Sequence, residues 1–227
     1  MGFPQFVTQM GGNTLAQESF LTRVKNSLFG NQNQIEIKET RIMKIGIISG
    51  SVREGNNATA VSQWVLDFAK NRNDEGVEYE LVHLSDFDLP LLGAKLDAAR
   101  AEAAGSAIKA WSEKMASFDG YVFITPEYNH ALGGAMKNAL DYLNPEVNNK
   151  AAALVGYGSL GGARAHENIR VILAELRVAT VRTTTNFSLI TDFENMSVFK
   201  PAAHNEVNAA GMFDDLLLWT KALNTIR

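Results

Sequence analysis

The stretch Tyr121-Val122-Phe123-Ile124-Thr125, running on into Pro126-Glu127-Tyr128-Asn129, decides the fold. Its first half is a short apolar run without polar alternation, the pattern of a strand buried on both faces of a parallel sheet. Its second half is polar and aromatic and stands before a helical segment. The spacing therefore predicts that the strand ends at the tetrad and presents it at the carboxyl edge of the sheet, where open α/β folds bind ligands. The octet Gly50-Ser51-Val52-Arg53-Glu54-Gly55-Asn56-Asn57 follows another apolar strand, residues 44–49, in the same way.

From Met43 onward strands and helices alternate. A first helix over residues 58–71 carries Val61, Trp64, Val65 and Phe68 on one face. Residues 77–84 alternate apolar and polar side chains, as an edge strand does, and residues 86–92 show no period. Further strands are expected over 121–125, 151–156 and 180–189, and further helices over 98–116, 134–143, 162–177 and 207–225. Five strands alternating with five helices predict a parallel sheet covered on both faces. The count matches an α/β, flavodoxin-like three-layer sandwich with a five-stranded parallel sheet, whose ligand crevice lies at the reversal between strands one and three.

The 227 residues suffice for one such domain, assigned here to residues 43–227. Residues 1–42 are rich in Asn, Gln and Thr, with weak helical grouping around Phe20, Val24 and Leu28. They read as an N-terminal extension, either a plain appendage or a docking arm for another subunit. Ile35 and Ile37 alternate within 34–38 and would add an edge strand. No apolar run is long enough to span a membrane, and the N-terminus lacks the apolar core of a secretory signal, so a cytoplasmic protein is expected. The absence of cysteine removes disulfides, thiolate metal ligands and thiol redox chemistry. A net charge of -4 and no long basic stripe argue against nucleic acid as a partner. His83, His130, His166 and His204 are widely separated, so no histidine-based zinc site is expected.

The first loop has the chemistry of an anion site. Its glycines permit tight turns, and its amides lie beside the positive end of a helix. Ser51, Asn56 and Asn57 add donors, and Arg53 adds a charge suited to phosphate oxygens. No Gly-Lys-Ser/Thr follows, so a nucleoside triphosphate with magnesium is disfavoured. The plain alternative is a turn with Asn57 as N-cap. A third loop, Gly156-Tyr157-Gly158-Ser159-Leu160-Gly161-Gly162, contains GxGxxG. It follows the fourth strand, and residues 176–191 hold no Asp or Glu, so it is not the dinucleotide fingerprint. Its glycines still let a flat ring approach the backbone. In the tetrad, Tyr128 offers a stacking face, Pro126 stiffens the turn, Asn129 holds its shape and Glu127 is an acceptor. The bland reading there is a strand-to-helix turn with a buried tyrosine. Trp64, Trp111, Trp219, Met115, Met136 and Met212 sit among helical apolar residues and read as core or subunit contacts. Arg164 and His166, in the first turn of the fourth helix, either face a cofactor phosphate or serve a solvated or intersubunit role.

Together these loops resemble the NADPH-dependent FMN reductase family, which includes flavin, quinone, azo-dye and chromate reductases. The resemblance is carried by Gly50-Ser51-Val52-Arg53, by Thr125-Pro126-Glu127-Tyr128-Asn129, by Met136-Lys137-Asn138-Ala139-Leu140-Asp141-Tyr142-Leu143 and by Gly161-Gly162-Ala163-Arg164-Ala165. It covers roughly residues 43–226 and implies non-covalent FMN with NAD(P)H as co-substrate. By position it implies Ser51 and Arg53 at the phosphate, beside Asn56 and Asn57. It implies Pro126, Glu127, Tyr128 and Asn129 along the isoalloxazine, with Gly158 and Ser159 closing a third side. The chain departs from the usual pattern at Asn56 and Ala58, where the family often has serine and asparagine, and at Ala131 and Gly133, where it often has serine and proline. These departures bear on flavin affinity and on the loop after the tetrad.

The implied activity is hydride transfer from NAD(P)H to FMN and on to a small acceptor such as a quinone, free flavin, azo dye or metal oxyanion. Hydride chemistry belongs to the flavin, so no side chain need act as nucleophile or obligatory base. The resemblance also implies a homodimer or homotetramer, with Leu132, Leu143 and the preceding glycines available for the contact. Two other classes share the fold: a flavodoxin-like electron carrier, and a non-catalytic module that has lost flavin. A carrier usually presents a strongly acidic docking face, for which -4 over 227 residues is a weak case.

Overall fold

The computed structural model describes residues 41–55 and 57–227; all but the last two residues of the expected N-terminal extension, the strand expected over 34–38 and Asn56 lie outside them. Ile42–Arg227 form one compact unit. Its centre is β1 (Met43–Ser49), in which Ile45, Ile47 and Ile48 are fully buried. Side chains of successive residues point to opposite faces of a strand, so burial of both 47 and 48 means that both faces are covered.

The chain continues through α1 (Ala58–Asn71), β2 (Val77–His83), α2 (Ala98–Ala116), β3 (Gly120–Tyr128), β4 (Ala131–Leu132), α3 (Gly134–Asp141), β5 (Ala151–Gly158), α4 (Ala163–Glu175), β6 (Ala179–Ser188), β7 (Phe193–Glu194), β8 (Val198–Phe199) and α5 (His204–Leu223). The main sheet runs β2-β1-β3-β5-β6, and all four of these pairings are parallel. The expected five-stranded, flavodoxin-like arrangement is present, and the strand order reverses between β1 and β3.

Two cores flank the sheet. Val61 and Val65 of α1 pack with Met212, Phe213 and Leu216 of α5 against one face. Trp111 and Met115 of α2, Met136 and Leu140 of α3, and Ile169 and Leu173 of α4 fill the other. Trp64 packs edge-on against Phe187 with ring centroids 5.2 Å apart, which places it in the core as expected. Trp219 is 43% exposed and belongs to neither core.

Two features depart from the pattern read in the sequence. The tetrad does not end its strand: β3 runs on through Pro126, Glu127 and Tyr128, then folds back so that Glu127 pairs with Leu132 and Tyr128 with Ala131. Asn129 and His130 form the two-residue turn with φ of 49° and 69°. Two left-handed residues give the twist that a tight hairpin needs, and asparagine tolerates that region better than most residues. The second addition is the antiparallel pair β7–β8.

Trp111 links the helices of one face, since its indole Nε1–H donates to the Ala139 carbonyl at 2.9 Å while its ring is fully buried. Trp111→Ala is expected to cost about 3–5 kcal/mol in denaturant unfolding. Trp111→Phe keeps most of the apolar contact but leaves the carbonyl without its donor, and should fall well short of that loss. Equal losses would mean that the hydrogen bond, not the packing, dominates.

Candidate functional site

Three loops meet where β1 and β3 part, and each is held by its own device. In the first, the Gly50 amide donates to the Ile124 carbonyl at 2.9 Å. A Cβ at Gly50 would sit 2.8 Å from that carbonyl oxygen and collide with Met136, so only glycine lets the loop lie this close to β3 and α3. The Ser62 hydroxyl donates to Ser49 Oγ at 2.8 Å and ties the loop's start to α1. Ser51 is buried and its hydroxyl accepts from the Arg53 amide at 3.4 Å, while the Arg53 side chain is exposed. Asn57 occupies the N-cap position of α1, but its backbone is already helical and its side chain does not cap. Its Nδ2 donates instead to the Met196 carbonyl at 3.1 Å. With no acidic residue in its first turn, α1 points its positive end at this loop.

The second loop is organised by Glu127. Its Oε2 accepts from the amides of Arg164 at 3.0 Å and Ala165 at 3.4 Å, and its Oε1 accepts from Arg164 Nε at 2.6 Å and from a second guanidinium nitrogen. Desolvation pushes the Glu127 carboxyl up, but the Arg164 guanidinium and the two amides outweigh it and hold the group below its ordinary value. The carboxylate thereby caps α4, whose own N-cap is Gly162 in the left-handed region with φ of 80°. Arg164 also donates to His130 Nε2 at 2.7 Å, reaching the hairpin turn. The acceptor role read for Glu127 is therefore a strand-to-helix bridge.

In the third loop, Gly161 and Gly162 are both left-handed, and a Cβ at Gly162 would meet the Gly156 Cα at 2.8 Å. The glycine string thus serves a tight turn against β5. Ser159 is exposed and its carbonyl accepts from the Ser188 hydroxyl at 3.1 Å.

Among the residues singled out in the sequence, Arg53, Asn57, Pro126, Glu127, Tyr128 and Gly158 line a single open cleft of about 290 Å³. Ser51, Asn129 and Ser159 are not part of its lining, and Asn56 lies outside the described residues. The cleft adds Tyr157, Leu189, Met196 and Ser197, none of which the sequence reading marked. Tyr157 stood inside the quoted glycine string, and its place between two glycines that need close packing was a usable sign. Met196 and Ser197 belong to no motif. The Tyr157 ring is buried; burial pushes its phenol well above the ordinary value, and neighbouring Ser51 and Arg53 pull part of the way back. Even so, its hydroxyl makes no hydrogen bond of good geometry among the described residues.

His166 corrects one expectation. It does not face a ligand: with Ala165, Ile169 and Leu173 it forms the inward stripe of α4, and it is 3% exposed. The reason is helical spacing, which sends residue 166 inward while Arg164 turns toward Glu127. Its Nε2 packs against Gly156 without a good hydrogen bond, and burial pushes the imidazole down to about 4, the Val155 backbone opposing only in part. Among the described residues no cluster of His, Asp and Glu has the makings of a metal site. No described helix is long and apolar enough to cross a membrane.

Parallel strands in this order, with three loops converging at the carboxyl edge around the β1–β3 reversal, define a flavodoxin-like α/β fold. Residues 43–192 match the family described as NADPH-dependent FMN reductase, and the chain belongs to that family. It is accordingly a flavin-dependent oxidoreductase, with FMN as cofactor and NAD(P)H as co-substrate. An NAD(P)H-dependent FMN reductase of a Nectria species is 32% identical over 195 residues, covering 81% of this chain and 95% of that protein. An NAD(P)H:quinone oxidoreductase of Solanum tuberosum is 30% identical over 138 residues, covering 58% of this chain and 67% of that protein. Among solved structures, the flavoenzyme NAD(P)H:(acceptor) oxidoreductase of Paracoccus denitrificans superposes with a TM-score of 0.60 at 19% identity, over 80% of this chain and 98% of that one, and shares the fold.

A histidine whose folded value lies below its unfolded one binds its proton more readily in the unfolded chain. The stability it lends is complete above pH 6.5 and is lost as the pH falls toward 4. The loss across that window is expected to be at most about 3 kcal/mol, read from urea unfolding at several pH values. His166→Asn should flatten the curve between those limits. An unchanged slope in that variant would show that other groups govern it.

Proposed function

We propose that the cleft is the FMN site and that the enzyme passes electrons from NAD(P)H to a small acceptor of the quinone class. The observation that carries this reading is the convergence of the positive end of α1, Arg53 and the pair Pro126 and Tyr128 on one cleft. An anion suits the first two, and a planar ring suits the third. The residues fit a phosphorylated flavin for a further reason. Tyr157 lines the same cleft, and its buried hydroxyl, beside Ser51, makes no hydrogen bond of good geometry among the described residues, the kind of polar group that a ligand oxygen or nitrogen satisfies.

Bound there, FMN would supply the two-electron chemistry of the reaction. The chain's own tasks are positional. Arg53 and the first turn of α1 hold the phosphate, and Pro126 and Tyr128 set the plane of the ring. Glu127 and Arg164 keep the second and third loops at a fixed separation. The Tyr128 ring, 42% exposed, leaves the ring site open for a second small planar molecule. The quinone activity named for the potato relative supports the choice of acceptor class.

The same reading places the enzyme in the cytoplasm as a homodimer or homotetramer. Exposed Val52, Leu160 and Ile190 on the loops that frame the cleft support a covering subunit. The family match begins at residue 43, which supports residues 1–42 as an extension outside the catalytic unit.

FMN-loaded protein should oxidise NAD(P)H in the presence of a simple benzoquinone with the parallel-line kinetics of alternating substrates. Flavin that NADPH reduces but a quinone fails to reoxidise would reject this acceptor class. Arg53→Ala should weaken FMN binding by about 1.5–3 kcal/mol, the worth of a hydrogen bond to a charged group, in a fluorescence titration. Unaltered affinity would remove Arg53 from the phosphate site.

A further inference from the structure

The family match ends at Asp192, and the residues after it fold back over the cleft. Asp192 is buried, and four donors converge on its carboxylate. Oδ2 accepts from the Ser188 amide at 2.8 Å and the Thr191 hydroxyl at 2.9 Å. Oδ1 accepts from the Ala202 amide at 2.9 Å and Asn205 Nδ2 at 2.8 Å. One carboxylate therefore pins both ends of the segment that carries β7 and β8. The middle of that segment is pinned separately. Phe199 lies 5.0 Å from Phe193 across the hairpin and packs edge-on against Phe187 at 4.9 Å and Trp64 at 6.4 Å.

What these anchors leave at the surface is the tip, Asn195-Met196-Ser197. Asn195 and Met196 are left-handed, with φ of 52° and 56°, and the Met196 carbonyl accepts from Asn57 at the N-terminus of α1. Met196 and Ser197 line the same cleft as Arg53. We infer that this tip is a fixed wall of the cleft at its phosphate end, resting on Asn57, and that Met196 and Ser197 set how long FMN stays bound. The inference depends on the FMN reading above. On the cleft that Arg53 also lines, Ser197 offers a polar side chain and Met196 an apolar one. Two independent anchors hold the hairpin in place, so the ligand leaves past the wall and not with it. Contacts made only in the bound state show chiefly in the dissociation rate.

The test compares FMN release from the wild type and from Met196→Gly/Ser197→Ala, followed by the recovery of flavin fluorescence after dilution. Glycine suits the left-handed backbone at 196, and both side chains are exposed, so the melting temperature should hold. Release is expected to be about tenfold faster. Equal release rates from a folded double variant overturn the wall. A double variant that cannot fold also overturns it, by making the tip a structural strut. Ser197→Ala alone is the second arm and should speed release roughly threefold; no change would remove its hydroxyl from the site. Wild-type protein that binds no FMN would reject the cofactor reading itself, an outcome distinct from equal release by two loaded proteins.

Discussion

The site's geometry depends on the carboxylate of Glu127. Its side chain is almost wholly out of solvent, where an unpaired charge is strongly unfavourable. Two backbone amides and the Arg164 guanidinium offset that cost. In accepting from them, one side chain joins the end of β3 to the start of α4 and replaces the cap that Gly162 lacks. The same guanidinium reaches His130 in the hairpin turn. The wall that carries Pro126 and Tyr128 and the loop that carries Gly158 are thereby tied together, and the width of the cleft between them follows.

Much of the fold was legible because the signals were physical ones. The short apolar runs at 45–48 and 121–125 lack alternation, the pattern of strands buried on both faces. The spacing of Val61 and Val65 gave the inward face of α1, and five such units leave few topologies open. The continuation of β3 through the tetrad was hidden, since proline and glutamate are poor strand formers and the turn is Asn-His in place of the usual Asn-Gly. Pairing with β4 and β5 overrides those local preferences. The β7–β8 hairpin has two residues per strand, too few for a period to show.

The site was legible residue by residue and illegible in its joints. Arg53, Pro126 and Tyr128 announced themselves by chemistry and position. The partner of Glu127 lies 37 residues away and that of Asn57 lies 139 away, and nothing local pairs them. His166 was misleading, since a polar residue next to Arg164 invites an outward reading, whereas helical spacing buries it. The structure also reassigns roles within the first loop: the Asn57 side chain does not cap α1 and holds the hairpin tip instead. The positive end of α1, with Arg53 and Asn57 on the same cleft, favours an enzyme with an anion at the helix end over a module that has lost its ligand. The open face of Tyr128 favours turnover of a second substrate over a closed electron carrier.

The most direct measurement is the visible spectrum of purified protein supplied with FMN, recorded anaerobically before and after NADPH. The account predicts a bound flavin band, perturbed from free FMN, that bleaches when NADPH is added. Protein that leaves the FMN spectrum unperturbed, or a bound band that NADPH does not bleach, would contradict it.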